Sequence, residues 1–284
     1  MAGMDARRAA SRLEKLRTSD GRRAVGLGLA LRARRVSWAV LSRLPPSLGE
    51  PAWMLLNKAM LTIGWGDVVP AAAFERFLTT QLEALGRDAG SSMSDGDREG
   101  DPDGDYVEFG VYVGTSMGAA VRAFDKAGPQ GSRFVGFDSF AGLPAGSESE
   151  GWRSGDFRAS RALAEWNLSR RGVLPRVDLV EGWFDQTCTS ATIERYRLEK
   201  VLVAMIDCDT YTSSKIAVDF VAPLLVPRCL LVFDDWYTAN PDGSQLEGQR
   251  KVFEELLARS PNLRAEDAGR PGFHGQAFRL SLAG

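Results

Sequence analysis

The chain has 284 residues, is 44% apolar and carries a formal net charge of only −2. That length supports one substantial α/β core with an added segment, and the near-neutral charge leaves no electrostatic footprint for nucleic acid. One histidine excludes a histidine-rich metal centre, and three distant cysteines (Cys188, Cys208, Cys229) indicate neither a zinc knuckle nor a disulfide framework.

An odd, scattered cysteine set makes a reducing, cytoplasmic setting the expectation. No apolar run reaches the roughly 18 residues of a membrane span, and residues 25–44 lack the layout of a signal peptide, so stable membrane insertion is not expected. The basic N-terminal segment, residues 1–50, holds eleven Lys or Arg against Asp5, Glu14 and Asp20 in its first 44 positions. It reads either as a solvated tail or as a surface for a membrane or an acidic partner. Residues 51–87 show helical spacing, with Leu55, Leu56, Ala59 and Met60 on one helix. Phe74, Phe77, Leu78, Leu82 and Leu85 lie on a second, after a turn at Gly64–Gly66. The spacing predicts a helical cap or plain core packing. Residues 88–104, rich in Gly, Ser and Asp, predict a flexible loop before the main domain, residues 105–284.

That domain opens on DYVEFGVYVGTSMGAAVRAF, residues 105–124. An apolar run carrying Glu108 meets glycines at 110, 114 and 118 and passes into an Ala-rich helix. The pattern predicts a strand, a tight glycine turn and a helix, read either as a cradle whose free N–H groups face an anionic part of a nucleotide-like ligand or as an ordinary βα turn of any α/β protein. The spacing is neither G-x-G-x-x-G nor a phosphate loop. A second strand, Phe134–Phe137, ends at Asp138, placed either to bond ribose hydroxyls or to cap a turn. A polar insertion runs from Phe140 to Arg158, then a helix at Arg161–Arg171 and a third strand at Val177–Val180. Gly182-Trp183 follows, where the ring either flanks an adenine or anchors the surface.

The fourth strand, Val201–Ile206, ends in Asp207-Cys208-Asp209, and the fifth, Cys229–Phe233, ends in Asp234-Asp235-Trp236. Both acid pairs follow unbroken apolar runs, the mark of strands buried on both faces, so both fall on the carboxyl edge of a parallel sheet. A single strand-end Asp is commonly a helix cap or loop residue, but if these strands neighbour each other or the first, four carboxylates converge and need a cation or a proton, and hard oxygen donors without His or Cys point to Mg²⁺. Trp236 and Tyr237 either wall an acceptor pocket or pack. A helix at Leu246–Arg259 and an antiparallel pair, Leu263–Asp267 with Gln276–Leu280, complete the chain.

Taken in order, VEFGVYVGTSM, FVGFDSFAGLP, EGWFDQT, IDCDTYTS and LVFDDW resemble the macrocin O-methyltransferase (TylF-like) family of class I S-adenosylmethionine-dependent methyltransferases. The resemblance covers the cofactor domain and implies a Rossmann-like α/β sheet, mostly parallel with an antiparallel C-terminal strand, to which the helical spacing of residues 51–87 adds an N-terminal helical cap. It implies Mg²⁺-dependent transfer of a methyl group from S-adenosylmethionine to a hydroxylated small-molecule acceptor, a sugar or glycosylated product of antibiotic biosynthesis. Asp207, Asp234 and Asp235 would hold the metal, and Asp209 would be the base. Glu108, Gly110, Gly114 and Ser116 would line the methionine end, Asp138 the ribose, and Gly182 and Trp183 the adenine side, with Ser139 and Asp207 also among the cofactor-binding residues. Pro227-Arg228-Cys229 and the C-terminal His274 depart from the family pattern. The apolar N-terminal helices are compatible with a homodimer. Two rivals are an inactive methyltransferase-like binding protein and a nucleotide-dependent oxidoreductase, the latter disfavoured by its missing glycine triplet.

Overall fold

The structure, a computed structural model, describes residues 36–37, 40–41, 43–62, 71–90, 103–237, 248–272 and 274–282. The expectations for residues 1–35, the Gly64–Gly66 turn, most of the 88–104 loop and the start of the Leu246 helix lie outside them. The chain divides into two units, residues 1–68 and 69–284. In the first, helix α1 (Pro46–Thr62) buries Trp53, Met60 and Leu61. Gly49 lies so close to the preceding segment that a Cβ there would sit 2.4 Å from the Leu41 carbonyl oxygen.

The second unit begins with helix α2 (Ala71–Gly90), so the helix runs past the expected boundary at residue 88. Seven strands follow: β1 (Asp105–Phe109), β2 (Phe134–Asp138), β3 (Val177–Glu181), β4 (Val201–Ile206), β5 (Leu225–Phe233), β6 (Leu263–Gly269) and β7 (Gln276–Leu282). They form one sheet in the order β3-β2-β1-β4-β5-β7-β6. The first five are parallel, and β7 runs antiparallel to both β5 and β6. Helices α3 (Thr115–Ala127), α4 (Arg161–Arg170), α5 (Phe184–Thr187), α6 (Ser190–Tyr196), α7 (Tyr211–Val221) and α8 (Gly248–Arg259) connect the strands. This is the mixed, Rossmann-like sheet with an antiparallel C-terminal end that the sequence predicts.

All five residues of β1 are buried, as an uninterrupted apolar run requires when both sheet faces are covered. Its side chains alternate: Tyr106 joins one core with Phe74, Leu78, Met117, Phe124 and Leu168. Val107 and Phe109 join the other with Phe137, Val218, Phe233 and Phe253. The apolar stripe of α2 is thus part of the main core, because Phe74, Leu78, Leu82 and Leu85 pack with residues of α3. Glu75 adds ion pairs to Arg122 Nε at 2.8 Å and Lys126 Nζ at 2.6 Å. β5 begins four residues before the apolar run at Cys229, because Pro227 is admitted near the strand's start, where the ladder to β4 is irregular.

Two glycines set the turn after β1. Gly110 has φ +97°, and a Cβ on it would fall 1.7 Å from the Asp207 carbonyl oxygen. Gly114, at φ +75°, occupies the N-cap of α3. Both positions are open to glycine alone without strain.

Truncating Leu78 to Ala should destabilise the fold by about 2–5 kcal/mol, the range for a fully buried leucine. Urea denaturation followed by circular dichroism measures it, and a loss well below 1 kcal/mol would show that α2 is not integral to the core.

Candidate active site

A ladder of backbone hydrogen bonds carries on past the strand ends and aligns them in one row. Gly182 N donates to Asp138 O (2.9 Å), Gly110 N to Phe137 O (2.9 Å), Asp207 N to Phe109 O (2.8 Å) and Asp234 N to Ile206 O (3.1 Å). Gly182, Asp138, Gly110, Asp207 and Asp234 therefore stand side by side along the carboxyl edge of β3-β2-β1-β4-β5. That edge is where doubly wound sheets bind ligands.

The glycine turn is braced from beneath. Glu108 is fully buried, and its two carboxylate oxygens accept from Tyr106 Oη at 2.7 Å and Ser116 Oγ at 2.6 Å. These bonds tie β1 to the first turn of α3, so Glu108 and Ser116 shape the turn that a cofactor would approach. Asp138 braces it from the side, accepting from Tyr112 N at 2.7 Å and Phe140 N at 2.6 Å. A carboxylate has about four acceptor positions, so Asp138 retains capacity for a diol. Ser139 spends its hydroxyl on the following turn, donating to Gly142 O at 2.9 Å and accepting from Ala141 N at 3.1 Å. Gly182 has φ +144°, and Trp183, half-buried, stands just before α5 with its carbonyl accepting from Gln186 and Thr187.

The structure brings the acidic cluster together. Asp209 takes the left-handed conformation (φ +59°), uncommon for a residue with a side chain, and its N–H donates to Asp235 Oδ2 at 3.1 Å. Gln249 of α8 locks the pair: its Oε1 accepts from Asp235 N at 2.9 Å, and its Nε2 donates to Ile206 O at 3.1 Å. Burial, then the charges of Asp234 and Asp235, push the Asp207 carboxyl well above its usual range. Burial and the charges of Asp235, Asp234 and Asp156 do the same to Asp209. Asp234 is raised to about 7 by burial and by Asp235. Among the described residues, no ion pair or hydrogen bond reaches the carboxylates of Asp207, Asp209 or Asp234.

The donor set suits a hard cation, because a positive charge would relieve this mutual repulsion. Among the described residues, however, no three His, Cys, Asp or Glu side chains are grouped so as to hold a metal ion. Asp235 Oδ2 already accepts from the Asp209 N–H. Mg²⁺ asks for less than a full protein cage, since one or two carboxylates with waters and ligand oxygens suffice.

The insertion between β2 and α4 contributes residues that periodicity does not reveal. Its short 3₁₀ turn, Ser147–Glu150, sends the Glu150 carboxylate to the N-terminus of α7. Glu150 accepts from Tyr211 N, from Thr212 N at 3.4 Å and from Thr212 Oγ1 at 3.0 Å. Thr210 caps Ser213 N at 3.2 Å, so all three amides of the first turn are bonded. The insertion also carries Asp156, whose charge acts on Asp209, and Trp152, whose buried Nε1 has no hydrogen-bond partner. Trp152 packs edge-on to Phe157, which packs edge-on to Tyr112 of the glycine turn, at ring separations of 5.8 and 6.1 Å. In the sequence these residues were marked only as part of the polar insertion from Phe140 to Arg158.

No helix among the described residues is long and apolar enough to cross a membrane. Residues 107–236 match the family model described as a methyltransferase domain. No curated protein matches the sequence. Among solved structures, the chain is similar to the O-methyltransferase NovP, with a TM-score of 0.53 and 20% identity over 73% of this chain and 80% of that one. It is also similar to the calicheamicin methyltransferase CalS11, with a TM-score of 0.50 and 22% identity over 71% and 77%. An O-methyltransferase from Bacillus cereus in complex with SAH matches with a TM-score of 0.50 and 19% identity over 80% and 88%. At these identities the structures establish a shared fold. The match to a methyltransferase domain thus falls on residues 107–236, which form most of the parallel part of this Rossmann-like sheet.

Proposed function

We propose that the protein is an S-adenosylmethionine-dependent O-methyltransferase of the macrocin type, assisted by Mg²⁺ and acting on a hydroxyl of a sugar or glycosylated small molecule. The observation that carries this reading is the single row of strand ends, in which Asp207 and Asp234 follow Gly110, with Asp209 tied to the same cluster through its N–H bond to Asp235. S-adenosylmethionine supplies a methyl group on a sulfonium centre when bound. The turn at Gly110 and Gly114 admits its methionine end, Asp138 bonds its ribose and Trp183 flanks its adenine. Asp207, Asp234 and Asp235 are the residues that would hold Mg²⁺, which supplies acidity to a bound hydroxyl and a fixed orientation.

Asp209 receives the proton of the acceptor hydroxyl at its carboxylate. Burial and its acidic neighbours raise its affinity for that proton, which is what a base needs. S-adenosylmethionine held at the Gly110–Gly114 turn would supply its methyl group to that oxygen, its carbon–sulfur bond breaking as the oxygen–carbon bond formed and the neutral thioether keeping the electron pair. No covalent enzyme intermediate is required. The chain contributes alignment, charge compensation and exclusion of water.

The test is calorimetry with S-adenosylmethionine, S-adenosylhomocysteine and NAD, with and without Mg²⁺, followed by a methyl-release screen over hydroxylated sugars and phenols. Binding of NAD in preference to both methionine cofactors would overturn the reading. Asp209→Asn should bind S-adenosylhomocysteine as the parent does but turn over about 10²–10⁴-fold more slowly, the span of general-base catalysis; unchanged turnover across a pH series would remove Asp209 as the base. Chelator should abolish turnover and Mg²⁺ restore it, and Asp234→Asn that kept full activity in chelator would remove the metal.

The buried acids also predict an unusual pH dependence of stability. Burial raises Glu108 from 4.5 to about 7 and Asp138 from 3.8 to about 7. Folding thus favours their protonated forms, so their contribution is greatest below the ordinary carboxylate values and is lost as pH rises towards 7. The ligand-free protein should melt at a higher temperature near pH 5 than near pH 7.5 in differential scanning calorimetry. A melting temperature that climbs steadily over that interval would contradict the assignment.

A further inference from the structure

Helix α1 is apolar on two opposite sides. Trp53, Met60 and Leu61 lie on its buried side with Gly49 and Asn57. The other side carries Leu48, Pro51, Leu55 and Ala59, spaced three or four residues apart along one helical stripe, and all four are exposed. Leu48 is 61% and Leu55 71% accessible. Ahead of the helix, Val36 and Val40 are accessible to 65% and 58%, and Leu44 is exposed as well. Five of the six large apolar side chains exposed among the described residues thus fall within residues 36–55, a concentration that marks an interaction surface where scattered single residues would not. A helix apolar all round is normally covered all round.

The same tract adjoins the basic part of the chain. Residues 1–44 hold eleven Lys or Arg against three acids, with Arg34 and Arg35 directly before Val36 and Arg43 directly before Leu44. Charge decides what can cover the stripe. A second copy of the chain would bring two basic segments of the same sign together. A bilayer with anionic headgroups answers both features at once, because the headgroups attract the arginines while the acyl boundary takes up Val36, Val40, Leu48 and Leu55. No described helix is long and apolar enough to cross a membrane, so α1 would lie along the surface.

We propose that α1 and the residues before it dock reversibly on an anionic lipid surface. This goes beyond the methyltransferase reading and does not depend on it.

The experiment is flotation of the full chain with vesicles of phosphatidylcholine alone and of equal parts phosphatidylcholine and phosphatidylglycerol. The protein should float with the anionic vesicles only, and rising salt should release it. Leu48→Gln combined with Leu55→Gln should weaken that binding about tenfold or more, since two apolar side chains leave the lipid boundary. The double variant should melt as the parent does in circular dichroism, because both side chains are exposed. Absence of flotation with the anionic vesicles overturns the proposal, as does flotation that the double substitution leaves unchanged. Binding to polyglutamate as strong as to the vesicles would assign the basic segment to an acidic protein and overturn it too. A dimer in light scattering that the double substitution dissociates, without vesicle binding, would assign the stripe to a second copy instead.

Discussion

At the carboxyl edge of β4 and β5, burial and the charges of neighbouring aspartates raise the proton affinity of Asp207, Asp209 and Asp234, and the surrounding architecture holds them in place against that repulsion. Backbone bonds align the strand ends, and Gln249 reaches from α8 to bond both Asp235 N and the Ile206 carbonyl. Below them lies a dense aromatic layer in which Phe253 stacks on Phe278 at 4.1 Å and Phe233 meets Trp236 at 5.4 Å. Burial of that layer supplies stabilisation that the charged rim by itself lacks. An acid cluster maintained at such cost indicates a ligand that makes use of it.

The insertion after β2 connects this cluster to the rest of the site. Helix α7 starts two residues after Asp209, and its first amides are bonded by Glu150 from a loop some sixty residues earlier. The loop is tied to itself as well, with Glu148 accepting from Gly146 N and Ser154 N, and Leu143 bonded to Asp156. A shift in the loop would therefore disturb the start of α7 and, through it, the left-handed turn at Asp209. The Trp152–Phe157–Tyr112 contacts lead in the other direction, to the glycine turn. One polar segment thus touches both the side proposed for the cofactor and the side proposed for the base.

Much of this frame was legible in the sequence, for a definite physical reason. Strands buried on both faces leave continuous apolar runs, so β1, β2 and β4 stood out, and an acid doublet at the end of such a run has one sheet edge to occupy. The glycine turn was equally plain, because Gly110 and Gly114 take conformations that other residues resist. What stayed hidden depends on long-range placement. Nothing local marks Glu150 as a cap for α7, Gln249 as the lock on Asp235 or Tyr106 as a partner of Glu108. Helices α5 and α6 are four and seven residues long, too short for a helical period to declare itself. The role of α2 was ambiguous because an apolar stripe reads the same on a cap and on a core helix.

The polarity of the site follows from these placements. The acid row offers only acceptors, which suits removing a proton from a hydroxyl but leaves the other oxygens of a sugar-like molecule without donors. Donors are found away from the row, on the hairpin and α8 as guanidiniums and on the insertion as the indole of Trp152. A buried donor left without a partner costs about 1–3 kcal/mol, and Trp152 Nε1 is the only buried side-chain nitrogen or oxygen among the described residues in that condition. A cost of that size is better explained if a bound oxygen completes the bond than if the indole simply fills space, because a phenylalanine would fill the same loop without an unmet N–H.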